Sequence, residues 1–246
     1  MRIAADLHIH STLSPCGSLE MSPAAIVEKA LERGLDMIAV TDHNSVENAL
    51  HASDYGERRG LSVICGMEAQ TREDVHLLCL FQDPRDAQAF YGRVYPLLPD
   101  MANNPDFFGD QVVVDCDDNI VRVESRLLMN SLDVSLEALV DLVHDHSGFI
   151  IPAHVEGPHF SLLANLGFLP PELEDCPLEI SYCTSFPAAV AAYPELAGRR
   201  LLTNSDAHYL TDIGRAYTVY DAQEASLAAV FRAARAGLCH AVYEEG

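Results

Sequence analysis

Basic residues are scarce in this sequence. Fifteen lysines and arginines stand against 37 aspartates and glutamates, for a formal net charge of -22. Such a field repels polyanions and anionic membranes, so no extended nucleic-acid surface is expected. A small anionic substrate stays compatible where bound cations reverse the local potential. Lysine is rarer still, with Lys29 the only one. No apolar run reaches membrane-spanning length, and the first residues lack the charged-then-apolar order of a secretion signal. The expected location is cytoplasmic, without membrane attachment. Cysteines spaced as CxxC are missing too. The seven cysteines are an odd number, and Cys65 and Cys79 lie in apolar runs as buried thiols would, which suits a reducing compartment. Neither GxGxxG nor GxxxxGK[ST] occurs, so the common nucleotide folds lack their fingerprints. No internal repeat, low-complexity tract or linker is present.

What is present suffices for a large core. Apolar residues make up 49% of 246, a length at which an α/β barrel is commonly one domain. Ser22, Pro23 and Gly34 bracket a helix as cap, first-turn residue and stop. The apolar run 36–40 shows no alternation, as in a parallel strand buried on both faces. A helix over 45–59 stops at Gly60, and a strand over 61–66 follows, ending at Met67 and Glu68. A second run, 75–81, comes too soon for a helical crossover. Residues 84–133 depart from the pattern: a helix over 85–98, a polar stretch, then a hairpin of 111–115 with 119–123. This segment reads as an insertion in a single domain spanning residues 1–246. The rhythm resumes with a helix from Ser135 to His146 and strands at 149–153, 177–181 and 200–204. A strand over 216–220, a helix over 222–236 and a last strand near 241–243 finish the chain. Strands alternating with helices imply βαβ units and a parallel sheet. Seven or so strands imply a closed or nearly closed barrel with functional residues at the strand ends.

Those ends carry an unusual set of side chains. His8 and His10 are two apart on a strand and therefore face one way. Asp42 and His43 follow the second strand, Glu68 ends the third, and His76 lies on its neighbour. His154 follows the strand at 149–153, and Asp206 and His208 follow the one at 200–204. Together they form a ring of metal-type ligands on one rim, as converging His, Asp and Glu do in metal sites. Asp42 either orients a liganding histidine or caps the next helix. His144 and His146 fall on a helix, where residues two apart do not face each other. His51 and His240 read as surface bystanders; His159 follows the strand end at His154, within reach of the rim.

The series His8-Ile9-His10, Thr41-Asp42-His43, Glu68, His76, His154 and Asn204-Ser205-Asp206-Ala207-His208 resembles the PHP (polymerase and histidinol phosphatase) domain family. The resemblance runs in order from the first residue to about His208, and the segment 84–133 has no counterpart in it. It implies a distorted seven-stranded β/α (TIM-like) barrel and a metal-dependent phosphoesterase with two or three divalent ions, Zn, Mn or Fe. His8, His10, Glu68 and Asp206 would hold one ion. Glu68 would bridge to a second held by His76 and His154, and His43 and His208 would serve a third. The loop after the first motif departs from the family: its Asp-type position falls on Pro15, which cannot ligate, and its His-type position on Cys16. That thiol either ligates, which would favour zinc, or is a small apolar residue.

The expected activity is hydrolysis of a small phosphorylated metabolite, a nucleotide or an oligonucleotide end by a metal-activated water. His43 or His208 is the candidate proton donor to the leaving oxygen. Arg215 is the first candidate for a phosphate contact, ahead of Arg126 and Arg72. The alternatives are an amidohydrolase-type hydrolase, disfavoured because Lys29 falls on a helix and offers no bridging carbamate, and a non-catalytic metal-binding module.

Overall fold

A computed structural model describes residues 1–243. Its first half keeps the expected alternation. β1 (Arg2–Ile9) leads to α1 (Pro23–Glu32), capped by Ser22 accepting from the Ala25 amide. β2 (Met37–Val40) is buried along its whole length. α2 (Glu47–Arg59) ends at Gly60, which takes the left-handed conformation at φ 78°. β3 (Ser62–Gln70) runs parallel to β2, as β2 does to β1.

Then the direction reverses. β4 (His76–Phe81) follows the short connection 71–75 and pairs antiparallel with β3. The sheet is therefore mixed, not parallel throughout as the alternation implied, because that connection is too short for a crossover helix. The reversal has a use: the first residue of β4, His76, sits at the rim where β1, β2 and β3 end. α3 (Pro84–Val94) stops before the expected residue 98. Pro96 has no amide to continue the helical ladder, and the chain tightens into a 3-10 turn over Tyr95–Leu97.

α4 (Pro105–Phe108) precedes the expected hairpin, β5 (Val112–Val114) with β6 (Ile120–Val123). Its turn is set by the Asp115 carboxylate, which accepts from the amides of Asp117 and Asn119. The hairpin grips the loop after β1. The Val112 amide donates to Thr12 O at 2.9 Å, and Thr12 Oγ1 donates back to Val112 O. Gly109 passes Pro15 so closely that a Cβ there would lie 2.2 Å from the Pro15 carbonyl oxygen.

α5 (Leu136–Asp145) is capped by Ser135 and leads to β7 (Phe149–Pro152), antiparallel to β4. α6 (Leu162–Asn165), β8 (Leu178–Glu179), α7 (Phe186–Ala192) and β9 (Leu201–Leu202) are short. β10 (Ala216–Asp221), α8 (Leu227–Arg235) and β11 (Cys239–Tyr243) complete the chain. Among the described residues the main sheet has seven strands in the order β11-β10-β1-β2-β3-β4-β7. It curls into a half-barrel, and β8 and β9 bridge the open side. The Val155 amide donates to Glu179 O, β8 pairs parallel with β9, and the His10 amide donates to Ala207 O just past β9. The α/β fold and its distorted barrel are thus as the sequence implied.

Helices cover both faces. Ile26 of α1, Ala49 of α2, Phe90 of α3 and Leu139 of α5 share one apolar cluster with Ile38 and Val40. Val230 and Phe231 of α8 share another with Ile3, Leu7, Ala39 and Leu80. Each fully buried aliphatic or aromatic side chain stabilises by roughly 1.5–3 kcal/mol, so the rim is carried on a stiff base. No helix among the described residues is long and apolar enough to cross a membrane, and all seven cysteines are free thiols.

Candidate metal centre

The centre starts with two imidazoles whose protons are placed by their neighbours. His8 Nδ1 lies 3.0 Å from the Glu179 carboxylate, which can only accept, so this nitrogen carries the proton. His10 Nδ1 lies 2.9 Å from Ser14 Oγ, whose own proton goes to Asp42 Oδ1 at 2.6 Å. In both rings Nε2 is left as a lone pair, and the two Nε2 atoms face each other at 3.2 Å. Lone pairs so placed repel unless a cation lies between them. The same device recurs at His208, where Nδ1 meets Asp206 O at 2.9 Å, and at His76, where Nε2 approaches Gln70 Oε1 at 3.4 Å. A ring nitrogen tied to an acceptor fixes the tautomer and aims the other nitrogen, as around bound metals.

Glu68 sits at the middle. Its Oε1 lies 2.8 Å from His76 Nδ1, 3.2 Å from His154 Nε2 and 3.4 Å from His8 Nε2. Its Oε2 lies 3.1 Å from His43 Nδ1 and 3.4 Å from His10 Nε2. Asp206 Oδ1 closes the first group, 3.4 Å from His8 Nε2 and 3.3 Å from His10 Nε2. The Nδ1 atoms of His43 and His76 are buried and make no hydrogen bond, although a carboxylate oxygen is near each. For His76, whose Nε2 faces the Gln70 oxygen, the orphan is a lone pair that a cation would satisfy, and a mixed imidazole and carboxylate donor set suits divalent transition metals. Three groups can each hold an ion by proximity: His8, His10 and Glu68; His43, Glu68 and His76; and His10, Cys16, His43 and His208.

The backbone is bent to make this convergence. His154 and Asp206 adopt positive φ, 30° and 49°. Non-glycine residues in that region cost on the order of 1–3 kcal/mol each and gather at functional sites. Electrostatics is arranged as tightly. Burial pushes Glu68 toward its neutral form, but His76, His8 and His43 outweigh it and hold the carboxyl well below the usual range. Asp206 is likewise held down against its burial by His8 and His10. Burial also pushes the Cys16 thiol up, and the imidazoles of His43 and His208 bring it down to about 6.

A second layer holds these ligands. Asp42 accepts from the Ser11 amide, Ser11 Oγ and Ser14 Oγ, so it acts on His10 through Ser14 and braces the loop after β1. Burial raises its carboxyl above the usual value. Asp6 takes the Ser205 and Gly214 amides, and its burial lifts it to about 6. Glu179 was not among the residues expected. It binds His8 Nδ1, the His154 amide and Asn204 Nδ2, tying β1, β7 and β9 together. Its signal in the sequence was faint: a lone acid between Leu178 and Ile180, both fully buried. Glu179→Gln keeps the shape and removes the charge that holds His8. Metal affinity should fall about 10–100-fold, the usual effect of changing such a partner, as read by chelator competition. An unchanged affinity would remove Glu179 from the centre.

Arg215 lies beside the Asp206 loop, stacked over the Tyr182 ring at 3.4 Å. Its guanidinium donates to Ser205 O at 2.8 Å and Asp206 O at 3.1 Å and approaches Asp212 at 3.4 Å. Arg72 pairs with Asp133, and Arg126 with Asp100 and the Tyr95 ring. His146 packs near Phe90 through its ring, and His51 offers its carbonyl to Cys116. Lys29 pairs with Glu32 on α1.

Residues 6–163 match the PHP domain family, and residues 193–239 match the family described as PHP-associated. A stretch of 69 residues is 38% identical to a PolC-type DNA polymerase III of Oceanobacillus iheyensis, covering 28% of this chain and 5% of that protein. Over 80 residues the chain is 35% identical to a phosphoribosyl 1,2-cyclic phosphate 1,2-diphosphodiesterase of Eggerthella lenta, covering 30% of this chain and 29% of that one. The chain thus spans well under two thirds of the length of either relative. In three dimensions it superposes on the lesion-specific endonuclease PfuEndoQ of Pyrococcus furiosus with a TM-score of 0.71 at 20% identity, covering 96% of this chain and 56% of the other. At that identity the likeness is one of fold. Because the matched span takes in the histidines and the glutamate at the ends of β1, β2, β3, β4 and β7, the chain belongs to the PHP domain family, with the His/Glu metal sites of a metal-dependent phosphoesterase-like protein.

Proposed function

We propose that this protein is a metal-dependent phosphoesterase acting on a small phosphorylated metabolite, a nucleotide or the end of a short oligonucleotide. The observation that carries the reading is Glu68, one buried carboxylate with imidazole nitrogens of five histidines within 3.4 Å of its two oxygens. His8, His10, Glu68 and Asp206 would hold one cation, and Glu68, His76 and His154 a second. His43 and His208 face a third. Two or three Zn, Mn or Fe ions would offset phosphoryl charge and make water acidic enough to supply a nucleophile at neutral pH. This chemistry asks for few basic side chains, which suits a chain of net charge -22 and favours a small substrate over a long duplex. His208 or His43, when free of an ion, would give a proton to the leaving oxygen. Arg215 holds the Asp206–His208 turn through its carbonyls and reaches phosphate only if it releases them. In this reading residues 1–246 work as one cytoplasmic catalytic unit, with the 84–133 segment as part of its wall.

The test uses the full chain, stripped of metal and restored separately with Zn, Mn or Fe. An aryl phosphate, a nucleoside phosphate and a short oligonucleotide are supplied in turn. Phosphate release with one of the metals supports the reading. Full metal loading without turnover on any of them would refute it, and failure to take up metal would remove the centre itself.

A further inference from the structure

We infer that Cys16 is a ligand, and that with His43 and His208 it makes a sulfur-containing site selective for zinc, separate from the carboxylate-bridged pair. The inference deepens the metal-centre reading, on which it rests. Cys16 Sγ lies 3.4 Å from His43 Nε2. Ligand atoms of His10, Cys16, His43 and His208 all fall within 4.8 Å of one another. His10 Nε2 is already shared with His8, Glu68 and Asp206, so three donors remain: Cys16, His43 and His208. His208 is poised for this, because Asp206 O occupies its Nδ1 and leaves Nε2 free. Three protein ligands with an open position is the arrangement of catalytic zinc sites.

Charge and softness point the same way. Cys16 is the one ionisable side chain in the loop 11–17. Without it this third group would offer neutral imidazoles alone. A thiolate supplies the negative charge, and its proton is released as the cation binds. Sulfur with two imidazoles selects zinc or cobalt over manganese and magnesium, which prefer oxygen. The loop is also built to hold the sulfur in place. The Gly17 amide donates to Ser14 O, the Ser18 amide to His208 O, and the Met21 carbonyl takes the Thr12 amide. Asp42 braces Ser11 and Ser14 from beneath, and Gly109 closes on Pro15 from the hairpin side.

The test is a cobalt(II) titration of the metal-free full chain under anaerobic conditions, read by absorbance and by bound metal. A thiolate-to-cobalt charge-transfer band in the near ultraviolet is expected for wild type. Cys16→Ser should lose the band and one equivalent of cobalt while keeping the others. Cys16→Asp should regain the equivalent without the band and accept manganese there. A wild-type titration with no such band, or a band that survives in Cys16→Ser, overturns the proposal. A second measurement needs no variant: zinc should slow alkylation of Cys16 at least about tenfold, since the bound thiolate is no longer free to react. Exposed Cys183 serves as the internal control. Equal alkylation of Cys16 with and without zinc also overturns it. Neither readout depends on turnover, so a silent enzyme with an intact band would sink the phosphoesterase reading alone.

Discussion

His10→Ala and Asp206→Ala should each empty the first cation position and cut phosphoesterase turnover by about 10³-fold, while the far-ultraviolet circular dichroism stays native. The magnitude follows from the several kcal/mol of charge stabilisation a cation provides at a phosphoryl group, at 1.36 kcal/mol per tenfold. His10 contributes a fixed lone pair, with Ser14 and Asp42 behind it, and alanine leaves that chain of donors with nothing to aim. Asp206 contributes charge; its loss leaves His8 and His10 facing each other with Glu68 alone to hold the ion. The fold should survive because both residues sit at the rim, above the apolar clusters on the two sheet faces. Metal analysis of the purified variants decides the matter, and full occupancy in either would mean that the ligand set is misassigned. His51→Ala on α2 should leave both metal content and rate untouched.

Removing the metal should cost stability on a scale visible by simple thermal melting. The centre packs Glu68, Asp206 and Glu179 among six imidazoles; Glu68, Glu179 and four of the imidazoles are buried, and Asp206, His154 and His208 are half-buried. A cation present at about a thousand times its dissociation constant stabilises the folded state by about 4 kcal/mol. For a chain of this size each kcal/mol moves Tm by about 2–4 °C, so chelation should lower it by about 8–16 °C. Added zinc or manganese should restore it. The shift has a defined pH direction. Histidines bind metal only when neutral, so affinity falls as pH falls, and the gap between chelated and loaded protein should close in acid. Complete metal loss with an unchanged Tm would show that the imidazole cage is stable without its charge.

Much of this centre could be read from residue order, because strand-end ligands announce themselves. His8-Ile9-His10 follows an apolar run, Glu68 ends another, and Asp206 and His208 repeat the two-residue spacing. The break at β4 was also legible, since the connection 71–75 is too short to hide a helix. What was not legible depended on partners distant in the chain. Glu179 sits on a strand of two residues, β8, too short for any periodicity, and its importance appears only when His8, the His154 amide and Asn204 meet at its carboxylate. The guanidinium of Arg215 could not be assigned to carbonyl groups before the turn at Ser205–Asp206 was folded. The end of α3 turned on one residue, Pro96, inside an otherwise helical pattern. Asp42, open between two roles, reaches His10 through Ser14 and holds the loop after β1 as well.

The bridging of the half-barrel has a consequence for how the chain reaches this state. The first strand and the last ligand-bearing turn, residues 8 and 208, meet through the bridge of Ile9 with Ala207. During synthesis the halves of the centre emerge far apart in time, and closing so long a loop carries the entropy cost typical of non-local contacts. Helix-backed segments such as β1 to β3 can form early from local contacts, while the cation positions stay half built. A full ligand set therefore exists only once residues 8 and 208 have met, so metal content reports on the closure of that span.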